Sequence, residues 1–231
     1  MKSVAIAILA GGESRRMGRD KGLMPVPLRP TTVPTAGEGH QRARLAMVSL
    51  LLRRLQIWRR IWQRSKPGAL ILAHPILISL RKEQWPSYKA QIPATLDPAP
   101  LPVFDSTAAS GPLQGLLSLQ SWIHREMPTV DGLLVLSVDM PWIRMRTIQR
   151  LIQRAESSER AIIYKTAQRL EPMPGVYPLS LFENWASSVQ TNPARSENSL
   201  YRRLQPEDIQ SIPLPDSEHR LFSNLNYPIF D

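Results

Sequence analysis

The residues Val4, Ala5, Ile6, Ala7, Ile8 and Leu9 form an uninterrupted apolar run that ends directly on Ala10-Gly11-Gly12. A run rich in β-branched side chains, with no polar residue alternating through it, suits a strand covered on both faces, as in a parallel sheet between helical layers. No other feature restricts the fold as much. Such a strand is central, and the chain leaves it at the carboxyl edge of the sheet. There Gly11 and Gly12 permit a sharp turn that brings backbone N–H groups close to a ligand. Arg15, Arg16, Arg19 and Lys21 follow. The turn thus adds cationic side chains to backbone donors, and its expected guest is a polyanion such as the phosphates of a nucleotide. A surface turn with solvated charges has the same local pattern, so the rest of the chain must decide. Spacing excludes two common phosphate loops: no Gly-Lys-Ser or Gly-Lys-Thr occurs for a Walker loop, and the glycines at 11, 12 and 18 do not make Gly-x-Gly-x-x-Gly.

The stretch Leu9 to Lys21, LAGGESRRMGRDK, resembles the LAGGxSxRMGxDK signature of molybdenum cofactor guanylyltransferases, the MobA-like branch of the nucleotidyltransferases. Sugar-nucleotide pyrophosphorylases carry a related loop with a GxGTR core and a Lys-Pro ending, whereas here Lys21 is followed by Gly22. Cytidylyltransferases acting on the same pterin usually read LAAG where this chain has Leu9-Ala10-Gly11-Gly12, so the resemblance points to guanine. It implies a single three-layer αβα, Rossmann-like nucleotidyltransferase domain over residues 1–231 with a mostly parallel central sheet.

Length agrees, since 231 residues lie within the range of one α/β domain with a sizeable core. The absence of cysteine excludes disulfides, thiolate zinc sites and cysteine nucleophiles. The N-terminal run lacks the hydrophobic length and cleavage site of a secretory signal. No apolar stretch approaches the roughly 18 residues of a membrane span, and a soluble, cytoplasmic protein is expected. A net charge of +10 attracts anions in general. No nucleic-acid-binding motif accompanies it, so phosphorylated small molecules rather than DNA or RNA are the expected partners.

Strands and helices alternate along the chain. Residues 24–40 interrupt this with four prolines and two glycines and read as a loop insert. A lid, a partner contact and disorder remain open for it. From Gln41 to Arg64, Leu45, Val48, Leu51, Leu52, Leu55, Trp58 and Trp62 recur at helical spacing, with Arg42, Arg53, Arg60 and Arg64 opposite. That pattern fits a helix packed on its own sheet with a solvated basic face. A second strand is expected at Ala69–Ala73 and a short helix opening at Ile76–Leu80. His74 reads as a loop residue.

Two further stretches carry chemistry. Val103-Phe104-Asp105 precedes Gly111-Pro112-Leu113-Gln114-Gly115, a short strand followed by a helix with proline in its first turn. The apolar strand Leu133–Ser137 leads into Asp139 and Pro141, placing a carboxylate where open α/β sheets bind ligands. A carboxylate there suits Mg²⁺, a hard cation usually shared with substrate phosphates. Either aspartate would serve equally as an ordinary cap. The resemblance extends to these stretches: it implies that Asp105 fixes the guanine nucleotide and that Asp139 binds the metal. Downstream, Ile162–Tyr164 reads as a strand, Glu171-Pro172 and Tyr177 as the family's next strand, 178–190 as a helix and 199–204 as a shorter one. Phe222-Ser223-Asn224-Leu225-Asn226-Tyr227-Pro228 resembles the family's FxNxNTP, with Tyr227 in place of Thr. Asn224 and Asn226, two apart on an extended segment, would present their amides to one side.

The resemblance implies transfer of GMP from GTP to molybdopterin with release of pyrophosphate. Arg16, Lys21 and Asp139 would be catalytic, and Leu9, Ala10, Gly11, Gly12, Lys21, Asp105 and Asp139 would bind the nucleotide. Asn224 and Asn226 would face the second substrate and Asp139 would hold Mg²⁺. A molybdoenzyme or chaperone is the protein partner it suggests. Two other readings stay open: a cytidylyl- or other nucleotidylyltransferase of the same fold, and a non-catalytic carrier of the pterin.

Overall fold

Along β1 (Ser3–Leu9), Val4, Ile6 and Ile8 face one helical layer and Ala5 and Ala7 face the other, all fully buried. The alternation is that of a strand; the apolarity of both faces is that of a central one. The computed structural model describes residues 1–11, 20–28, 44–65, 70–105, 111–191 and 200–222, with backbone alone at 187–191, 202, 220 and 221.

After β1 come β2 (Pro25–Pro27), β3 (Arg44–Ala46), α1 (Met47–Ser65), β4 (Ile71–Leu72), β5 (Leu77–Leu80), α2 (Trp85–Gln91) and β6 (Leu101–Phe104). The second half holds α3 (Pro112–Glu126), β7 (Gly132–Ser137), α4 (Met145–Ala155), β8 (Ala161–Lys165), β9 (Leu170–Pro178), α5 (Leu179–Thr191), α6 (Leu200–Arg203) and β10 (Ile209–Pro213). The main sheet runs β10-β8-β9-β7-β1-β5-β6, with β4 also pairing β1. Only β9 runs against its neighbours, so the carboxyl ends of β1, β5, β6, β7, β8 and β10 share one edge. The mostly parallel, helix-flanked sheet expected from the sequence is thus present.

Leu51, Leu52, Leu55, Trp58 and Trp62 of α1 pack with Ile148, Leu151 and Ile152 of α4 on one face. Leu113, Leu116, Leu119 and Ile123 of α3 pack with Phe182 and Trp185 of α5 on the other. The small Ala5 and Ala7 let α3 come close. A Cβ on Gly115 of α3 would lie 2.6 Å from Ser79 Oγ and 3.2 Å from Leu9 Cδ2, so glycine is what the approach requires. No helix among the described residues is long and apolar enough to cross a membrane.

Several elements differ from the sequence expectation. The long helix starts at Met47 rather than Gln41, because Arg44–Ala46 pairs antiparallel with Pro25–Pro27. The front of the proline-rich insert is therefore a strand; in a two-stranded ribbon, prolines are tolerated where no ladder N–H is needed. Residues 29–43 lie outside the described part. The apolar Ile76–Leu80 does not open a helix: Leu77–Leu80 is β5, paired with β1 on one side and β6 on the other. A short apolar run buried on both faces has no periodicity to separate the two states. Of the strand expected at 69–73, Ile71–Leu72 is β4 and Ala69 lies outside the described residues; α2, α4 and β10 correspond to no motif.

Candidate active site at the carboxyl edge of the sheet

β1 delivers its last residues to the edge of the sheet between two neighbours. The Ala10 amide donates to the Ser79 carbonyl at 2.8 Å, and the Val138 amide donates to the Leu9 carbonyl at 3.0 Å. Ala10 is buried, and Gly11 stands at the mouth of the turn. A Cβ on Gly11 would lie 2.5 Å from Asp105 Oδ2 and 3.3 Å from Leu80 Cα. This adds a reason for glycine that the sequence did not show: the residue must pass the Asp105 carboxylate. Gly12, Arg15, Arg16 and Arg19 lie outside the described residues.

Asp105 follows β6, its amide donating to the Leu80 carbonyl at 3.0 Å. Its Oδ1 accepts a 2.6 Å hydrogen bond from Ser79 Oγ. Burial pushes its carboxyl above the usual range, opposed by the Ser79 hydrogen bond and the Arg81 charge. Beyond it, Gly111 takes a positive φ of 120° as the N-cap of α3, a conformation few side chains adopt, and Pro112 fills the first turn.

On the other side of β1, the chain leaves β7 and turns through Asp139. Ser137 Oγ donates to Asp139 Oδ1 at 2.6 Å. Lys21 Nζ lies 3.7 Å from Asp139 Oδ2, the two side chains 24% and 10% exposed. Lys21 opens a 3₁₀ turn, Lys21–Leu23, whose N-cap Asp20 accepts from the Gly22 amide. The two residues singled out on separate motifs are therefore adjacent in space, and the partly open pair can meet an anion or a divalent cation. Among the described residues no three histidines, aspartates or glutamates converge on one point. Asp139 as a single carboxylate fits a cation whose remaining ligands are substrate phosphates and water.

Sequence reasoning missed the groups that hold the Asp139 turn. Arg54 of α1 donates to the Pro141 carbonyl at 2.5 Å and to the Ile143 carbonyl at 2.7 Å. Burial lowers its pKa from the usual arginine value. Trp142 Nε1 donates to the Pro27 carbonyl at 3.1 Å, tying the same turn to β2. The only hint was the phase of Arg54 on α1, at the border between the apolar stripe and the basic face. Asn224, Asn226 and Tyr227 lie outside the described residues. Phe222 just before them is buried and sits edge-on to Tyr164 at 5.4 Å.

Against known proteins, residues 6–208 match the family described as MobA-like NTP transferase domain. A probable molybdenum cofactor guanylyltransferase of Rhodopirellula baltica is 28% identical over 225 residues, covering 96% of this chain and 86% of that protein. Another, from Opitutus terrae, is 26% identical over 230 residues, 98% of this chain and 92% of that one. The crystal structure of molybdopterin-guanine dinucleotide biosynthesis protein A from Archaeoglobus fulgidus superposes with a TM-score of 0.62 at 17% identity, covering 97% of this chain and 93% of that chain, which shows a shared fold.

Proposed function

The chain belongs to the MobA-like NTP transferase family, and from that premise we propose that it transfers GMP from GTP to the phosphate of molybdopterin, releasing pyrophosphate. The observation that carries this reading is the Lys21–Asp139 pair, 3.7 Å apart at the strand edge where the glycine turn begins. A pure carrier of the pterin has no need of a carboxylate poised beside a lysine at a phosphate-binding turn.

The reaction needs no protein nucleophile. A pterin phosphate oxygen attacks the α-phosphorus of GTP in line, the bond from that phosphorus to the α,β-bridging oxygen breaks, and the oxygen leaves with pyrophosphate. Catalysis then rests on positioning and on neutralising charge. Leu9 and Ala10 would lead the backbone into the Gly11-Gly12 cradle for the triphosphate. Arg16 and Lys21 would offset the charge that builds on the leaving group. Asp105, held by Ser79 against Gly11, would fix the nucleoside, and Asn224 and Asn226 would face the pterin phosphate. Mg²⁺ held by Asp139 and the substrate phosphates would supply further neutralisation. Ser137 hydrogen-bonds Asp139 Oδ1 and Lys21 faces Oδ2, which orients the carboxylate that would hold the cation.

The guanine assignment rests on Leu9-Ala10-Gly11-Gly12 and is supported by relatives named as guanylyltransferases. Purified protein given molybdopterin, Mg²⁺ and either nucleotide is expected to form a dinucleotide, read by mass, with GTP and not with CTP. Product from CTP overturns the base assignment, and no product from either overturns the transferase reading.

A further inference from the structure

Asp20 stands between Arg19 and Lys21 in a segment expected to hold phosphates, where a carboxylate would repel the ligand. Its oxygens are engaged elsewhere. Tyr88 Oη, from α2, donates to Asp20 Oδ1 at 2.5 Å, and Gln84 Nε2 donates to Asp20 Oδ2 at 2.5 Å. The Gly22 amide adds a third donor at 3.2 Å to Oδ1. Gln84 is itself oriented, its Oε1 accepting from the Arg81 amide at 2.9 Å. Both oxygens of Asp20 are committed, one to Tyr88 of α2 and the Gly22 amide and the other to Gln84, which caps α2.

Tyr88 is fully buried, and its hydroxyl also lies 3.4 Å from the Ala10 carbonyl. Ala10 is the residue before the glycine turn and Asp20 the residue after its arginines. One phenol oxygen therefore stands against both ends of the segment that leaves β1. Space is equally committed: a Cβ on Gly22 would lie 2.2 Å from that oxygen. Burial and the Asp20 contact hold the phenol far above its usual pKa, so it stays a donor throughout the working range. Immediately past Asp20 comes Lys21, whose Nζ faces Asp139.

We propose that Tyr88 is a positioning residue: its hydroxyl staples Asp20, where the chain returns from the glycine turn, to α2 and thereby fixes where Lys21 stands. The inference rests on the reading of that turn as the phosphate site, and nothing in it requires Tyr88 to touch substrate. Two readouts separate the ideas. Amide hydrogen exchange, which needs no substrate, should rise about tenfold at Gly22, Leu23 and Met24 in Tyr88→Phe, with β1 and α2 unchanged. These three amides donate within the turn that Asp20 opens. Asp20→Ala should give the same rise without touching the core, whereas Asp20→Asn keeps an oxygen for Tyr88 and should retain most of the protection. Unchanged exchange in Tyr88→Phe and Asp20→Ala, or a rise spread through α2 and the sheet, would overturn the staple. In the transfer assay, Tyr88→Phe should lower kcat about tenfold, the direction expected from a misplaced Lys21, with a smaller change in KM for GTP; an unchanged kcat would also count against it. If the unaltered protein transfers nothing, the proposed function fails and the exchange comparison still decides the role of Tyr88.

Discussion

Asp105 and Asp139 stand on opposite sides of β1 and begin from the same local device. Each accepts a 2.6 Å hydrogen bond from a serine that belongs to a neighbour of β1, Ser79 in β5 and Ser137 in β7. Past that bond they diverge. Asp139 has a lysine 3.7 Å from its second oxygen. The second oxygen of Asp105 is pressed toward Gly11, and burial there raises its pKa against the pull of Ser79 and Arg81. An aspartate at a strand end has no role by position alone; the neighbour of its second oxygen makes one a partner for cations and the other a tightly housed acceptor.

Neutralising the Lys21–Asp139 side should produce the larger loss. On the proposed mechanism, Lys21→Ala removes a cation from the leaving pyrophosphate and Asp139→Asn the carboxylate that would hold Mg²⁺, and losing one such electrostatic contact typically costs about 3 kcal/mol of barrier, roughly a hundredfold in kcat. The thermal midpoint should barely move, since a partly open pair at this separation adds little to stability. Near-normal turnover in either variant would remove that residue from the mechanism. Asp105→Asn sharpens the contrast with a smaller effect on rate and an opposite one on stability. Asparagine keeps an oxygen for Ser79 and deletes the charge that burial disfavours, so the thermal midpoint should hold or rise while transfer falls about tenfold, or about 1.4 kcal/mol. A midpoint several degrees lower would show that the charged form is stabilised rather than penalised.

The parts of this arrangement that were legible in the sequence are those encoded within a few residues. β1, the glycine turn, Lys21, Asp105 and Asp139 each sit in a contiguous motif; the strand pattern placed Asp139 at the ligand edge, and Asp105 entered through the family resemblance. What escaped depends on partners far along the chain. Arg54 looks like one more arginine of a basic helix until the turn at Pro141 and Ile143 supplies carbonyls for it, 87 and 89 residues away. β2 and β3 exist only because they pair across residues 29–43, and β5 is too short for its period to declare it. Gly11 was read as freedom to turn, while the structure adds clearance for a carboxylate from another strand. Tyr88 carried no signal, because a buried tyrosine is most often packing.

A third carboxylate tests whether burial or donors decide the sign of such shifts. Glu218 is fully buried, which by itself would raise its pKa as at Asp105. Its pKa is instead lowered, because the Thr147 hydroxyl, the Arg146 guanidinium at 2.8 Å and the Arg150 guanidinium at 3.4 Å outweigh that penalty. A carboxyl whose folded pKa is depressed contributes stability above its unfolded pKa, about 4.3 for Glu, and loses it as pH falls through the folded value. Both arginine side chains are more than a third exposed, so solvent screening limits the contribution to about 1 kcal/mol. For a chain of this length that corresponds to about 3 °C in thermal midpoint. Glu218→Gln should therefore melt about 3 °C below the unaltered protein at pH 7, and the gap should close as both are taken below pH 4. A gap that persists into acid would assign the effect to the Thr147 hydrogen bond and to packing around Phe222, leaving the two arginines without a share in it.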